Sequence, residues 1–211
     1  MTDYRFWAIA VLAAVVGTTW PSMADDIVAS WSTMKLPAPP PLKAVTVDAS
    51  HTALLLLDFS NDTCTTQQRP RCFDSLPIVA KLLSEARAHH ATVVYSTVPN
   101  GSVRVTPQTL APHPDDPVVS AGADKFLNTD LSNILKARHI QTVIVTRTTA
   151  QGAVLYTASS AALRGYAVVV PVDGMSASDP FGELSTAWVL ANGPPSVARH
   201  VTLTRSDMIS Y

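Results

Sequence analysis

Asp58 is the residue of this chain best placed for chemistry. It closes the uninterrupted apolar run Ala53-Leu54-Leu55-Leu56-Leu57. A carboxylate at the end of a buried strand, walled by apolar side chains, is pushed toward its protonated form unless a cation or N–H donors compensate. Such a group can work as a general acid or base near neutral pH. The plainer alternative is an N-cap or a loop-fixing acceptor. Asp173 ends a later apolar run and carries the same two readings. The second feature is the segment 143–166, VIVTRTTAQGAVLYTASSAALRGY. Here the β-branched run Val143-Ile144-Val145 passes through a polar turn into an alanine-rich helical pattern that closes on Gly165. Thr148, Thr149, Gln151, Gly152 and Ala153 then fall where backbone donors and a small hollow form at a strand's carboxyl end, the usual ligand position of open α/β sheets. The helix start offers no Cys, Ser or His, so this turn suits substrate binding rather than covalent attack.

Two cysteines, Cys64 and Cys72, stand eight residues apart on a stretch read as a surface loop. In an oxidising compartment they can close a small ring, a disulfide worth about 2–3 kcal/mol on the chain-entropy model. A free, reactive thiol at Cys64 is the sharper alternative. Metal chemistry has little support: no Cys or His pair stands at zinc spacing, and His113, Asp115 and Asp116 read as a solvated, proline-flanked turn. There is no G-x-G-x-x-G after the first strand and no G-K-[ST] loop, so no dinucleotide or nucleoside triphosphate is implied. No cofactor is expected.

These residues need a frame to position them. The 211-residue chain carries 15 Lys+Arg against 16 Asp+Glu, and no basic face argues for nucleic acid. Arg5 precedes the apolar run Trp7 to Gly17, and Ser22 and Ala24 are the small residues before a cut ahead of Asp25. Residues 1–24 therefore read as a secretory signal, with an uncleaved anchor as the alternative, and no later segment is long and apolar enough to span a bilayer. The mature protein is expected in the periplasm or outside the cell, with no membrane association after cleavage. Residues 25–47 are proline-rich and read as an extended arm, and 48–211 as one domain.

In that domain strands and helices alternate. A helix is expected over 74–90, capped by Asp74 or Ser75 with Pro77 in its first turn, and another over TDLSNILKARH, capped by Asn128 or Thr129. Further strands fall at TVVYSTV, QTVIV, AVVVPVD and HVTLT. The pattern predicts an α/β fold with a parallel sheet of about six strands and helices on both faces.

The order of LLLLDFSNDTC, then Phe126-Leu127-Asn128-Thr129-Asp130-Leu131, then TVIVTRTTAQGAVLYTASSAALRGYAVVVPVDGMSAS resembles the isochorismatase-like hydrolase family, also called cysteine hydrolases, over roughly residues 50–192. The resemblance implies a three-layer α/β/α sandwich and hydrolysis of small amides, carbamoyl compounds or a vinyl ether. It also implies a site made of an Asp, a Lys and a Cys. Asp58 matches the Asp. The Cys position falls on Ala153. The family lysine would fall on Ser120 or Ala121, and Lys125 is the nearest amine. The resemblance further implies a cis peptide at Thr148–Thr149, and it places Arg147 where a glycine is usual. Metal-binding members carry histidines after the first strand; NDTCTTQQRPRC has none, which implies no metal and argues against nicotinamide.

The expected activity is therefore hydrolysis of a small activated ether, ester or amide by acid/base catalysis with Asp58 and Lys125, without a cysteine nucleophile. The alternatives are Cys64 as nucleophile and a non-catalytic small-molecule-binding protein of the same fold. Association of family members through helices implies a homo-oligomer.

Overall fold

Six consecutive buried residues, Thr52–Leu57, form strand β2, and the sheet is built outward from it. The structure is a computed structural model; it describes residues 26–211, and the leader expected at 1–24 lies outside them. The chain divides at Ala38/Pro39 into two units. In the first, α1 (Ile27–Ser30) is capped by Asp26, whose carboxylate accepts from the Val28 N–H at 3.1 Å.

In the second unit the elements follow the order β1 (Val45–Thr46), β2, α2 (Pro70–Ala88), β3 (Thr92–Thr97), β4 (Val118–Ser120), α3 (Leu131–Ala137), β5 (Thr142–Thr148), α4 (Leu155–Leu163), β6 (Ala167–Pro171), β7 (Met175–Ser176), α5 (Pro180–Asn192), α6 (Pro195–Ala198), β8 (Val201–Thr204) and β9 (Ile209–Ser210). The main sheet has seven strands, ordered β4-β3-β2-β5-β6-β8 with β7 on the end of β5, and every pairing in it is parallel. The expected α/β class and layered sandwich are therefore present, with one short strand more than the pattern suggested. β1 and β9 make a separate parallel pair.

A parallel sheet covered on both faces needs two cores, and alternation along β2 supplies them. Leu54 and Leu56 face a cluster with Val79, Leu82, Leu83 and Ala86 of α2. Ala53, Leu55 and Leu57 face the other cluster, which contains residues of α3, α4 and α5 such as Leu131, Leu135, Ala158, Ala161 and Leu190. The alanines of α4 let that helix lie close to the strands. Gly165, with φ +88°, ends α4 in the left-handed region that a side chain would strain.

Two helix boundaries differ from the sequence reading. α2 begins at Pro70, not near Asp74, so Pro77 lies inside it and Cys72 in its first turn. Pro70 provides the preset first-turn φ that the sequence reading assigned to Pro77. α3 begins after Asp130, and Thr129 rather than the cap residue accepts from the Leu131 N–H.

Strand order fixes where a ligand belongs. From β2 the chain goes to β3 and β4 on one side, then returns to β5 on the other, so the switch point lies between the carboxyl ends of β2 and β5.

Candidate active site

The register of the three central strands brings the candidate residues together. Leu57 lies opposite Ser96 on β3 and opposite Arg147 on β5, so the residue after Leu57 emerges between the two. That residue is Asp58. It takes a left-handed φ of +51°, which aspartate tolerates better than most side chains, and its N–H donates to the Ser96 carbonyl at 3.1 Å. The chain leaves the strand here and leaves the carboxylate at the sheet's edge.

Three side chains converge on that carboxylate. Ser96 Oγ donates to Oδ1 at 2.6 Å. Lys125 Nζ donates to Oδ2 at 2.7 Å, and the Arg147 guanidinium pairs with the same oxygen through Nη2. Lys125 has no exposed surface at all, and Asp58 retains only 5% of its side-chain surface. Burial lowers the Lys125 pKa, and the bond to Asp58 opposes that shift. Arg147 is likewise lowered by burial and supported by Asp58, while the nearby positive charge of Arg69 lowers it further.

Lys125 reaches Asp58 by a detour. It sits in the turn before α3, and its ammonium also donates to the Ala121 carbonyl at 2.8 Å. Thus the register position that the resemblance gave to a lysine contributes a backbone acceptor, and the amine arrives from four residues later. The turn is pinned to α4: Lys125 N–H donates to Thr157 Oγ1 at 3.2 Å, and Ser160 Oγ donates to Asp124 at 2.7 Å. Asp124 in turn accepts from the Phe126 N–H at 2.9 Å, and the Arg164 guanidinium stacks 4.7 Å over the Phe126 ring.

A cavity of about 360 Å³ opens over Asp58, within the size range of small-molecule sites. Its walls include Phe59, Ser96, Val98, Val105, Arg69 and Arg147. The loop between β2 and α2 contributes Ser60, Asp62 and Thr63 to the same wall. That loop is closed by the Cys64–Cys72 disulfide, and both cysteines are buried. The disulfide expected from the sequence is present, and it leaves no free thiol at Cys64 among the described residues.

Residues 52–201 match the isochorismatase domain family model. The chain belongs to the isochorismatase family. Solved structures with the same fold include an isochorismatase family protein from Desulfovibrio vulgaris, at 22% identity and TM-score 0.63, covering 74% of this chain and 95% of that one. A cysteine hydrolase from Pseudomonas syringae pv. phaseolicola matches at 22% identity and TM-score 0.65, covering 80% and 94%. The nicotinamidase of Staphylococcus aureus matches at 18% identity and TM-score 0.64, covering 74% and 99%. At these identities the likeness is one of fold. Among curated proteins, none matches the sequence.

Within this family fold the remaining sequence candidates separate into two groups. Asp58 and Lys125 are in contact, but only Asp58 lines the cavity. Thr148, Thr149, Gln151, Gly152 and Ala153 do not line it. Thr148 and Ala153 are sealed from solvent, Ala153 inside the apolar core. The Gln151 side chain instead lies 3.0 Å from where a Cβ on Gly182 would stand. Thr149 and Gly152 are half-buried and Gln151 is exposed, and Arg147, one residue before Thr148, is the member of that segment that lines the cavity. The Thr148–Thr149 peptide is cis. Asp173 holds a loop, accepting from the Ser206 N–H and Oγ, each at 2.9 Å. His113 and Asp115 are exposed, whereas Asp116 is largely buried, accepting from the His113 N–H at 2.7 Å and from Arg87 at 2.8 Å, so it ties the turn down rather than facing water. Sequence reasoning missed Ser96 and Arg69; strand register would have found Ser96, whereas Arg69 lies inside the disulfide ring just before α2, where its N–H donates to the Thr65 carbonyl at 3.0 Å.

Proposed function

We propose that this protein is an exported hydrolase of the isochorismatase family that acts on a small activated ester, amide or ether without a covalent enzyme intermediate. The observation that carries this reading is the Asp58 carboxylate at the cavity floor with Ser96, Lys125 and Arg147 directed at it. A carboxylate offers about four acceptor positions. Oδ2 is held by the two cations, while Oδ1 has one donor and keeps a lone pair for a water in the cavity. On an ester or amide, Asp58 takes a proton from that water as it attacks the carbonyl and returns it to the departing oxygen or nitrogen. On an enol ether it relays the water's proton to the alkene carbon, and the hydroxide left captures the oxocarbenium carbon, whose hemiketal then releases the alcohol. Arg147 stands beside the reacting centre as a fixed positive charge for the oxyanion that develops. Lys125, behind Asp58 and out of the cavity, positions the carboxylate and balances its charge. Ala153, at the position that the resemblance gives to the nucleophile, is buried and unreactive, and both sulfurs are tied in the disulfide.

Export rests on the leader-like segment 1–24, and the disulfide supports it. N-terminal sequencing of the protein recovered from a periplasmic or culture fraction is expected to start at Asp25. A start at Met1 on protein recovered from the membrane fraction would instead support the anchor.

The test of hydrolysis is a panel of small esters, amides and enol ethers, read with and without prior iodoacetamide. Turnover that alkylation leaves unchanged, with no acyl adduct by intact mass, is the expected result.

One observation favours a second reading. Arg147 lies across Oδ2 of Asp58, and a carboxylate held this way can serve as a fixed charge for binding alone. In that case the chain is a non-catalytic binder of a small molecule. Saturable binding with no turnover on the whole panel would support it.

A further inference from the structure

The cavity wall holds two guanidinium groups whose hydrogen-bonding capacity the described residues leave largely unused. Arg147 is nine-tenths buried, Asp58 is its one ionic partner among the described residues, and its Nε is buried with no partner. Guanidinium carries five N–H donors in a rigid fork. Arg69, the residue before α2, lines the same cavity and makes no side-chain hydrogen bond or ion pair among the described residues. The two positive charges lie close enough for Arg69 to depress the Arg147 pKa. Like charges held together over a cavity are costly unless an anion lies between them. The groups facing the cavity or touching Asp58 are Arg69, Arg147 and Lys125 against Asp58 and Asp62, and Asp62 is exposed. The balance is positive. The same wall includes the apolar side chains Phe59, Val98 and Val105.

We propose that the cavity takes a small monocarboxylate, its carboxylate seated between Arg69 and Arg147 and its apolar body against Phe59, Val98 and Val105. The planar fork matches a carboxylate bidentately, and the apolar wall favours an organic acid over an inorganic anion. This deepens the proposed hydrolase, since it names the substrate class and places the reacting bond over Asp58; it requires that the cavity be the binding site but not that turnover occurs.

The test is calorimetric titration of the full mature chain with benzoate, with its neutral isostere benzamide, and with inorganic phosphate. Wild-type protein is expected to bind benzoate saturably and at least tenfold more tightly than benzamide or phosphate. Arg69→Gln should weaken benzoate at least tenfold and leave benzamide within twofold. Arg69 is half-buried with no side-chain partner, so this variant is expected to melt like wild type. Arg147→Gln provides a second reading of the same loss, with its melting curve as the folding control. Benzamide binding as tightly as benzoate, or an unchanged benzoate Kd in Arg69→Gln, would overturn the proposal; tighter phosphate than benzoate would overturn the carboxylate assignment. Benzoate binding without hydrolysis of any ester or amide would sink the hydrolase reading and leave this one standing.

Discussion

Asp58 is the residue on which the site depends, because it offsets two buried cations at once. Removing it leaves Lys125 and Arg147 buried and unpaired, a loss of about 3–5 kcal/mol for a broken buried pair. Asp58→Ala should therefore lower the urea midpoint sharply, whereas Arg69→Gln should not. Similar midpoints for the two variants would contradict the ion-pair account. A second prediction concerns Ala153, which has no exposed surface. Ala153→Cys is expected to be silent to a thiol reagent in folded protein and to react only on denaturation; rapid labelling of the native variant would mean that the helix start is open after all. At this scale the sequence singled out Asp58 and Asp173 by the same sign, an aspartate ending an apolar run, and only the partners separate them: Asp58 meets two cations and Asp173 a loop. The sequence was less informative about Lys125, which reaches Asp58 only because the turn 121–126 folds back. Arg147 was legible as an anomaly in the turn but not as the wall of the cavity, because its direction depends on how β5 extends to Thr148.

Among the elements, the ring closed by Cys64 and Cys72 links stability to the site. Arg69 lies inside it and lines the cavity, as do Asp62 and Thr63, just before Cys64. The paired Cys64→Ser, Cys72→Ser variant should lose about 2–3 kcal/mol in chemical denaturation and bind benzoate less tightly. Unchanged stability would show that the ring does not constrain the unfolded chain as proposed. Helix α2 shows why boundaries were harder to read than element types. A pattern of Leu82, Leu83 and Ala86 announces a helix, but the local signals Asp74, Ser75 and Pro77 marked a start that tertiary packing overrode. The disulfide and the buried Cys72 carry the helix back to Pro70. The main strands and the helices between them were legible because continuous apolar runs follow from burial of both sheet faces; the two-residue strands β1, β7 and β9 are too short to leave such a run. The approach of Gln151 to Gly182 was not legible, since it joins residues far apart in sequence.

For the molecule as a whole, the parallel sheet places a carboxylate, a hydroxyl and a guanidinium from three adjacent strands at the switch point, and one core on each face keeps that edge fixed. Its stability should fall in alkali for a reason found in one of those cores. Tyr95 is buried, and burial raises its pKa from 10.0 to about 12, with Arg87 opposing and Asp116 adding to the shift. Its folded pKa lies above the unfolded one, so the stability it contributes is complete below pH 10 and is lost as pH rises through about 12. The loss is on the order of 2 kcal/mol. Tyr95→Phe should flatten the fall in unfolding free energy between pH 10 and 12, and an unaltered slope would assign the alkaline loss to other groups. The central claim is that Asp58, and no sulfur, carries the chemistry of this family member. Its most direct test is kcat/KM for one substrate that the wild type hydrolyses, measured again in Asp58→Asn and in the Cys64→Ser, Cys72→Ser pair. The account predicts a fall of at least about 100-fold in Asp58→Asn, the scale of removing a general acid or base, and, for the cysteine pair, a kcat within a few fold of wild type with the loss confined to KM. Retained turnover in Asp58→Asn, or its loss in the cysteine pair with the fold intact, would contradict it.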